Sequence, residues 1–389
     1  MERDKNITAM LAVFSDVAQH PGRAVKLLIQ TTGKKAIGCF PYYCPEELVY
    51  AAGMFPVGCW GGQIEIARAG NYFPPFACSI MQSAMELAIA GVYEDLAAVI
   101  IPAPCDTLKL FGQNWIAGAS RVPAIPIVYP LHKTDAGMKY LEQELAAVQS
   151  KLEAIAGSRI ADDAIHAGIE LYNDNRRALR EFVQLAARRP GLISPVERHH
   201  VIKSRFFMEK PRHTKLLEKL NQSLAAQPAG KKQGKKVILT GIMVEPDGIL
   251  EVLADNDITI VADDLAQESR LFRTDVPAGE KPLSRLADQW RAMDGCSLIF
   301  SVQKTRTNML IDMFRQTQAD GIVICMMKFC EPEEFDYPII KTECKAAGIP
   351  VLYLEIDQQT QSLGQVRTRV QAFVESLDIG NEEAKTIKS

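Results

Sequence analysis

Cysteine is the residue type in this sequence whose number and placement suggest chemistry. The 389-residue chain has nine cysteines, at positions 39, 44, 59, 78, 105, 296, 325, 330 and 344. The odd count argues against a framework of paired disulfides. Thiolates are soft ligands that suit iron–sulfur clusters, and free cysteines are also common core residues. The local setting of each cysteine must therefore separate ligands from packing residues.

Three cysteines stand where a strand is predicted to end or a helix to begin. Cys78 directly precedes a helical pattern, Cys105 follows the apolar stretch 97–101, and Cys330 follows the apolar stretch 321–327. In parallel sheets the carboxyl ends of strands and the amino ends of helices meet at one edge, where ligands bind and thiolates are stabilised. Three thiolates suit an iron–sulfur cluster in which one iron has no cysteine ligand and can bind a further group. The spacing alone also allows a mixture of core and loop thiols.

The other cysteines have plainer settings. Cys325 lies inside an apolar strand and is predicted to pack in the core. Cys39 and Cys44 are separated by four residues, which is the spacing of a redox pair or of two unrelated thiols. Cys296 carries no distinct signal.

Two pairs of acidic residues are further candidates for a polar site. Glu46 and Glu47 follow Pro45 at a predicted helix start, where the helix dipole also stabilises carboxylates for structural reasons. Asp263 and Asp264 end a predicted strand, where they either cap the next helix or face a cleft.

Several familiar catalytic motifs are absent from the sequence. Residues 230–236, G-K-K-Q-G-K-K, resemble a phosphate-binding loop, but the glycine spacing is too short and no Ser or Thr follows the lysine. No Gly-x-Gly-x-x-Gly follows a predicted strand, and the chain has no Gly-x-Ser-x-Gly and no His-x-x-x-His. The sequence therefore predicts neither an ATP-binding loop, nor a serine hydrolase, nor a helical zinc pair.

Strands and helices alternate in the two outer parts of the chain, and helical patterns fill the middle. This alternation predicts an α/β fold with parallel sheets covered by helices. The lysine- and glycine-containing stretch 227–236 reads as an exposed boundary. We therefore expect an α/β domain with Cys78 and Cys105 over residues 1–137, a helical connector over 138–235, and an α/β domain with Cys330 over 236–389. In the last part, strands are predicted at 237–241, 258–261, 297–300, 321–327 and 351–354.

The composition is that of an ordinary globular protein. Hydrophobic residues make up 47% of the chain, charged residues 23%, and the formal net charge is −3. This balance gives no electrostatic reason to expect nucleic acid or an anionic membrane as a partner. No apolar run reaches the ~18 residues of a membrane span, and the first residues lack the apolar core of a secretory signal. We therefore expect a soluble cytoplasmic protein.

Several stretches together resemble the 2-hydroxyacyl-CoA dehydratase family, which includes the subunits of benzoyl-CoA reductase. The resemblance runs in order through nearly the whole chain and is greatest to β subunits. Its motifs are G-C-F-P-Y-Y-C-P-E-E-L-V-Y-A-A-G-M-F-P-V-G (38–58), F-A-C-S-I-M-Q (76–82), P-C-D-T-L (104–108), V-A-D-D-L-A-Q-E-S-R (261–270), M-M-K-F-C-E-P-E-E-F-D-Y-P (326–338) and D-Q-Q-T-Q (357–361).

The resemblance implies two flavodoxin-like parallel-sheet units joined by a helical segment, with a [4Fe-4S] cluster in the cleft between them. Matched motif by motif, its ligands are Cys78, Cys105 and Cys330. The family has Asp after the last of these, whereas this chain has Glu331, a conservative change. Cys325 is a rival ligand that fits the motif less well. Glu47 matches an acidic residue of the family and is the candidate catalytic residue.

The resemblance also implies a reaction and partners. Family members of this type form heterodimers with a homologous α subunit and receive one electron from an ATP-dependent iron–sulfur activator. They convert an (R)-2-hydroxyacyl-CoA to an (E)-2-enoyl-CoA through a ketyl radical anion, in amino-acid fermentation. The α subunit is thought to hold the acyl-CoA, so the cluster of a β subunit would relay the electron.

Three further expectations concern cofactors and alternative functions. A flavin mononucleotide occurs in the family, but no flavin motif is present in this sequence. The alternative functions are a subunit of a benzoyl-CoA-type reductase and a non-catalytic iron–sulfur electron-transfer protein.

Overall fold

The structure is a computed structural model that describes residues 3–228, 234–360 and 362–386. Two four-stranded parallel sheets form its framework, which confirms the predicted α/β class. The first sheet contains β1 (Ala36–Cys39), β2 (Phe55–Gly58), β3 (Leu96–Pro102) and β4 (Ala124–Ile127). The second contains β5 (Lys236–Gly241), β6 (Thr259–Leu265), β7 (Gly321–Met327) and β8 (Val351–Ile356).

The two sheets have the same plan. The strand order is β2-β1-β3-β4 in the first and β6-β5-β7-β8 in the second, with every neighbouring pair parallel. In each order the chain starts at an inner strand, adds one neighbour, and then crosses to the other side. The connections that leave the two inner strands therefore run in opposite directions. In open α/β sheets, ligand sites form at this point, outside the carboxyl ends of the strands.

Fifteen α-helices are present in the described parts of the chain. Five belong to the first part of the sequence: α1 (Lys5–Gln19), α2 (Pro21–Thr32), α3 (Glu46–Ala51), α4 (Ser79–Ile89) and α5 (Asp106–Gly118). Four follow without an intervening strand: α6 (Asp135–Ala156), α7 (Asp162–Arg188), α8 (Pro195–Ser204) and α9 (Lys210–Ala225). Six lie in the last part: α10 (Asp247–Asp255), α11 (Ser269–Phe272), α12 (Pro282–Ala292), α13 (Thr305–Thr317), α14 (Glu331–Ala346) and α15 (Gly364–Thr386).

The middle helices form a layer with its own apolar core. Leu179 and Phe182 of α7 pack there with Leu217 of α9. Helix α1 joins this layer, because Ile7 and Phe14 belong to the same core. The N-terminal helix thus packs beside residues that come more than 160 positions later. The division into residues 1–137, 138–235 and 236–389 stays a prediction, and part of its boundary 227–236 lies outside the described residues.

Two strand assignments differ from the sequence prediction. The stretch 297–300, predicted as a strand, forms a turn, and Ser297 uses its hydroxyl in a buried polar network instead. Strand β2 was not predicted, because Pro56 and Gly58 lie within its four residues. A proline is tolerated in β2 because this strand pairs only with β1, at the edge of the sheet.

None of the helices in the described residues is both long and apolar enough to cross a membrane.

Candidate metal centre

Each of the three predicted cysteine ligands stands immediately before a helix. Cys78 is the N-cap residue of α4, Cys105 of α5 and Cys330 of α14. Cys105 follows the inner strand β3, and Cys330 follows the inner strand β7. The three cysteines therefore come from the carboxyl edges of two different sheets and from the connection between β2 and β3.

The first backbone N–H groups of the three helices lie near the three sulfurs, although none of the three cysteine side chains forms a capping hydrogen bond with its own helix. The Cys78 sulfur lies against the N–H groups of Ile80 and Met81, and the Cys330 sulfur lies against the N–H group of Glu333. The Cys105 sulfur has the same setting, against the N–H groups of the second and third residues after it. These groups lower the thiol pKa, since the positive end of a helix dipole favours a thiolate.

Burial opposes this effect in the free thiols. It raises the pKa of Cys78 to about 12 and the pKa of Cys330 well above its usual value, and it also raises that of Cys105. Positive charge from bound iron would offset the cost of keeping such sulfurs as thiolates. The chemistry of three buried thiols therefore fits the ligands of a metal cluster.

The three sulfurs interact with one another across the two sheets. Charge on Cys78 and Cys105 raises the pKa of Cys330, and charge on Cys105 raises the pKa of Cys78. Nevertheless, no three His, Cys, Asp or Glu side chains among the described residues are arranged to hold a single metal ion.

Direct polar contacts bring the two sheets together beside these cysteines. The Ser79 hydroxyl donates to the Met327 sulfur at 3.1 Å, which joins the start of α4 to the end of β7. The fully buried Gln358 donates to the Trp60 carbonyl at 2.8 Å and accepts from the Ser83 hydroxyl at 2.7 Å. These contacts show what the 357–361 motif does: it fixes the second unit against the first.

A buried charge network holds the first turn of α14, which Cys330 caps. The Glu333 carboxylate accepts from Arg270 at 3.0 Å, from Arg306 at 2.8 Å and from Ser297 at 2.7 Å. Arg270 and Arg306 also donate to Asp264, each at 3.0 Å. Burial alone would raise the pKa of Glu333, but the two guanidinium groups lower it. Glu333 is therefore ionised and immobilised three residues after Cys330.

Asp263 and Asp264 are parts of buried ion pairs. Asp264 is fully buried and pairs with Arg270, Arg273 and Arg306. Asp263 pairs with Arg198 of α8 and accepts the backbone N–H group of Ser269 at 3.0 Å, next to the start of α11. Of the two interpretations left open by the sequence, these contacts support a structural one.

Glu47 lies in a small cavity behind the loop that follows β1. Its carboxylate is buried and forms an ion pair with Arg176 of α7. Glu46 beside it pairs with Lys210 at 3.2 Å and with Arg205 at 3.8 Å. We call this space the Glu47 cavity; its volume is about 60 Å³, and its lining includes Cys39, Cys44, Tyr172, Arg176, Arg205 and Trp290. Among the described residues that line it, none is one of the three helix-capping cysteines.

Cys296 makes contacts that the sequence did not predict. Its sulfur lies 2.7 Å from the Tyr42 hydroxyl, 3.4 Å from the Leu298 backbone nitrogen and 3.7 Å from an Arg270 nitrogen. Tyr42 belongs to the loop after β1, so this cysteine links the charge network of the second unit to the first unit. Cys325 is fully buried within β7, as predicted.

Comparison with known proteins identifies the family. Residues 41–377 match the model of the family described as 2-hydroxyglutaryl-CoA dehydratase, D-component. The chain belongs to this family. The resemblance seen in the sequence is thereby confirmed, and all six motifs fall within or just before the matched residues.

Three relatives in the dehydratase family are similar over almost their whole length. The β subunit of lactoyl-CoA dehydratase from Anaerotignum propionicum is 45% identical, over 95% of this chain and 99% of the relative. The β subunit of (R)-phenyllactyl-CoA dehydratase from Clostridium sporogenes is 40% identical, over 94% and 97%. The β subunit of (R)-2-hydroxyglutaryl-CoA dehydratase from Acidaminococcus fermentans is 39% identical, over 95% and 100%.

The charge network predicts a large cost for neutralising Glu333. Glu333→Gln leaves two buried guanidinium groups without one of their carboxylates, so we expect the free energy of unfolding to fall by about 3 kcal/mol. Anaerobic urea unfolding measures this change. Glu334→Gln, one residue further along the same helical turn but exposed, is the matched control and should shift it by less than about 0.5 kcal/mol. Equal effects at the two positions would contradict the network.

A second buried network predicts how stability depends on pH. His199 of α8 contacts Glu268 at 2.9 Å and Glu245 at 3.6 Å. Burial alone would lower the pKa of His199, but these carboxylates raise it to about 9. Because the pKa is raised on folding, the stabilisation is complete below pH ~6.5 and is lost as the pH rises through about 9.

We therefore expect the stability difference between the unmodified chain and His199→Gln to shrink by about 3 kcal/mol between pH 6.5 and 9.5. Urea unfolding across this pH range measures it. His20→Gln, at an exposed histidine, is the control and should show no such trend. A difference that is constant with pH would show that His199 is neutral in the folded protein.

Proposed function

We propose that this chain is the β subunit of an (R)-2-hydroxyacyl-CoA dehydratase, which acts in amino-acid fermentation and forms an (E)-2-enoyl-CoA. The three relatives are named as dehydratase β subunits and are 39–45% identical over nearly the full length. Their acyl groups differ, namely lactoyl, phenyllactyl and hydroxyglutaryl. The similarity therefore supports the reaction class and leaves the acyl group of this protein open.

The observation that carries the proposal is the set of three cysteines that cap helices at the edges of both sheets. We assign a [4Fe-4S] cluster to Cys78, Cys105 and Cys330, in the cleft between two flavodoxin-like units. The shared strand order supports this description of the units. When bound, the cluster supplies one-electron transfer together with one iron that lacks a cysteine ligand.

The chain itself contributes position and electrostatics. The helix N–H groups near the three sulfurs favour the thiolate form, because they lower the pKa of each thiol. The paired Glu333 fixes the turn that carries Cys330. The contacts of Ser79 and Gln358 fix the turn that carries Cys78 against the second unit. These contacts hold the cysteines in place without a bound substrate, which suits a subunit that relays an electron.

The proposed partners are a homologous α subunit, which would bind most of the acyl-CoA, and an ATP-dependent iron–sulfur activator, all in the cytoplasm. A partner surface is suggested by exposed apolar side chains around the cysteines. Phe76 is 68% exposed two residues before Cys78, and Phe335 is 76% exposed on the helix that Cys330 caps. Leu110, on the helix that Cys105 caps, is 58% exposed. Clustered exposed apolar groups mark interaction surfaces, and we assign these three side chains to the surface that binds the activator.

The cluster assignment predicts a loss of iron in three variants. Cys78→Ala, Cys105→Ala and Cys330→Ala should each lose most of the iron bound after anaerobic reconstitution. Dehydration by the complex with the α homologue and the activator should fall by about 100-fold or more, because an altered metal site loses both affinity and activity. Iron and sulfide analysis and an assay of 2-hydroxyacyl-CoA substrates measure these effects.

Cys344→Ala is the matched control, because Cys344 is a buried thiol of the second unit that packs in an apolar core. It should keep its iron and its activity. Full iron content in the three variants would contradict the cluster assignment. Stoichiometric consumption of electrons per product would instead indicate a ring reductase, since dehydration leaves the redox state of the substrate unchanged.

The activator surface predicts a separate effect. Phe335→Glu should slow electron delivery from the activator about tenfold, because a charge replaces an apolar contact, and it should leave the iron content unchanged. Stopped-flow oxidation of the activator measures this rate. Val92→Glu, three residues beyond the carboxyl end of α4 and also exposed, is the control and should keep the native rate. Loss of the heterodimer in Phe335→Glu would show that the surface binds the α subunit instead.

A further inference from the structure

Several residues that line the Glu47 cavity carry buried hydrogen-bond donors without a partner. Such atoms are found on Tyr172 (Oη), Arg176 (Nε), Arg205 (Nε and Nη1) and Trp290 (Nε1). All four residues line the cavity, and each is at least nine-tenths buried. Unpaired buried polar atoms are rare in folded proteins. Five of them on residues that line one cavity indicate that a bound group accepts their hydrogen bonds.

All five atoms can donate a hydrogen bond. Nitrogen atoms of arginine and tryptophan are donors only. Burial, and then the charges of Glu46 and Glu47, raise the pKa of Tyr172 well above its usual value, so its hydroxyl keeps its proton. The missing partner must therefore be an acceptor.

The charges around the cavity call for a negative group. Arg176, Arg205 and Lys210 face the two carboxylates of Glu46 and Glu47. Burial lowers the pKa of Lys210 to about 8, which still leaves it mostly protonated at pH 7. Three cations against two carboxylates leave one positive charge, and one monovalent anion would balance it.

The size of the cavity limits the anion. The accessible space of about 60 Å³ is several times the roughly 10–15 Å³ that a single water molecule requires. This space accommodates a small planar oxyanion.

We propose that the Glu47 cavity binds a small monovalent oxyanion of the carboxylate class, held by donors of Tyr172, Arg176, Arg205 and Trp290. The site is separate from the three helix-capping cysteines and does not depend on the cluster. It lies at the carboxyl end of β1, next to β3 in the sheet, where the strand order reverses. Arg176 and Arg205 each face one of the two carboxylates, so the anion would complete an alternating arrangement of charges.

Formate is the probe for this site. In thermal unfolding of the full chain under anaerobic conditions, sodium formate should raise the midpoint temperature with a saturable dependence on concentration. Sodium gluconate at the same ionic strength is the size control and should not, because it exceeds the cavity volume. Line broadening of the formate proton signal, with the same half-saturation concentration, provides a readout that is independent of unfolding.

Two variants test the donors. Tyr172→Phe removes only the hydroxyl, and Arg205→Lys keeps the charge but removes the Nε and Nη1 donors. Each should raise the half-saturation concentration of formate about tenfold, which is the usual loss for a hydrogen bond to a charged group. Tyr140→Phe, at an exposed tyrosine on α6, should bind formate as the unmodified chain does.

The alternative outcomes are distinct. If formate produces no saturable effect, or the same effect in Tyr172→Phe as in the unmodified chain, the anion site is refuted. Iron content, measured in the same samples, reports separately on the cluster assignment.

Discussion

The constraint on which this structure depends is that two separate parallel sheets must keep their carboxyl edges in a fixed relation. Cys105 and Cys330 follow inner strands of different sheets, and Cys78 lies in the connection between β2 and β3. A shift of one unit against the other would separate their sulfurs. The contact of Ser79 with Met327 and the contacts of Gln358 with Trp60 and Ser83 oppose such a shift at the site itself. All of these groups are buried, so breaking one contact leaves an unpaired polar atom away from water.

Buried ion pairs are the main interactions that hold the carboxyl edge of the second sheet in place. Asp264, Arg270, Arg306 and Glu333 satisfy one another in an interior where an isolated charge would be very costly. Such a network adds little net stability compared with apolar packing, but it allows few alternative arrangements. It therefore fixes the turn before α14 more tightly than apolar side chains would. Through Cys296 and Tyr42 the same network also reaches the loop after β1.

Local sequence patterns predicted most of the elements and the position of the three cysteines before helices, because both depend on periodicity and on strand ends. Cys78, Cys105 and Cys330 were picked out as residues between strands and helices, and each caps a helix. Patterns failed where tertiary contacts decide the outcome. Residues 297–300 are apolar enough for a strand, yet they form a turn in which the Ser297 hydroxyl donates to the distant Glu333. The partners of Glu47 and Gln358 lie more than 100 positions away, so no local signal could have revealed them.

Mössbauer spectroscopy of the full chain reconstituted anaerobically with iron-57 tests the central claim most directly, because it distinguishes iron sites by their ligands. Three cysteines on a four-iron cluster leave one iron without a cysteine. We expect a four-iron cluster in which one iron site differs from the other three. A single iron ion, a two-iron cluster, or four equivalent iron sites would contradict it.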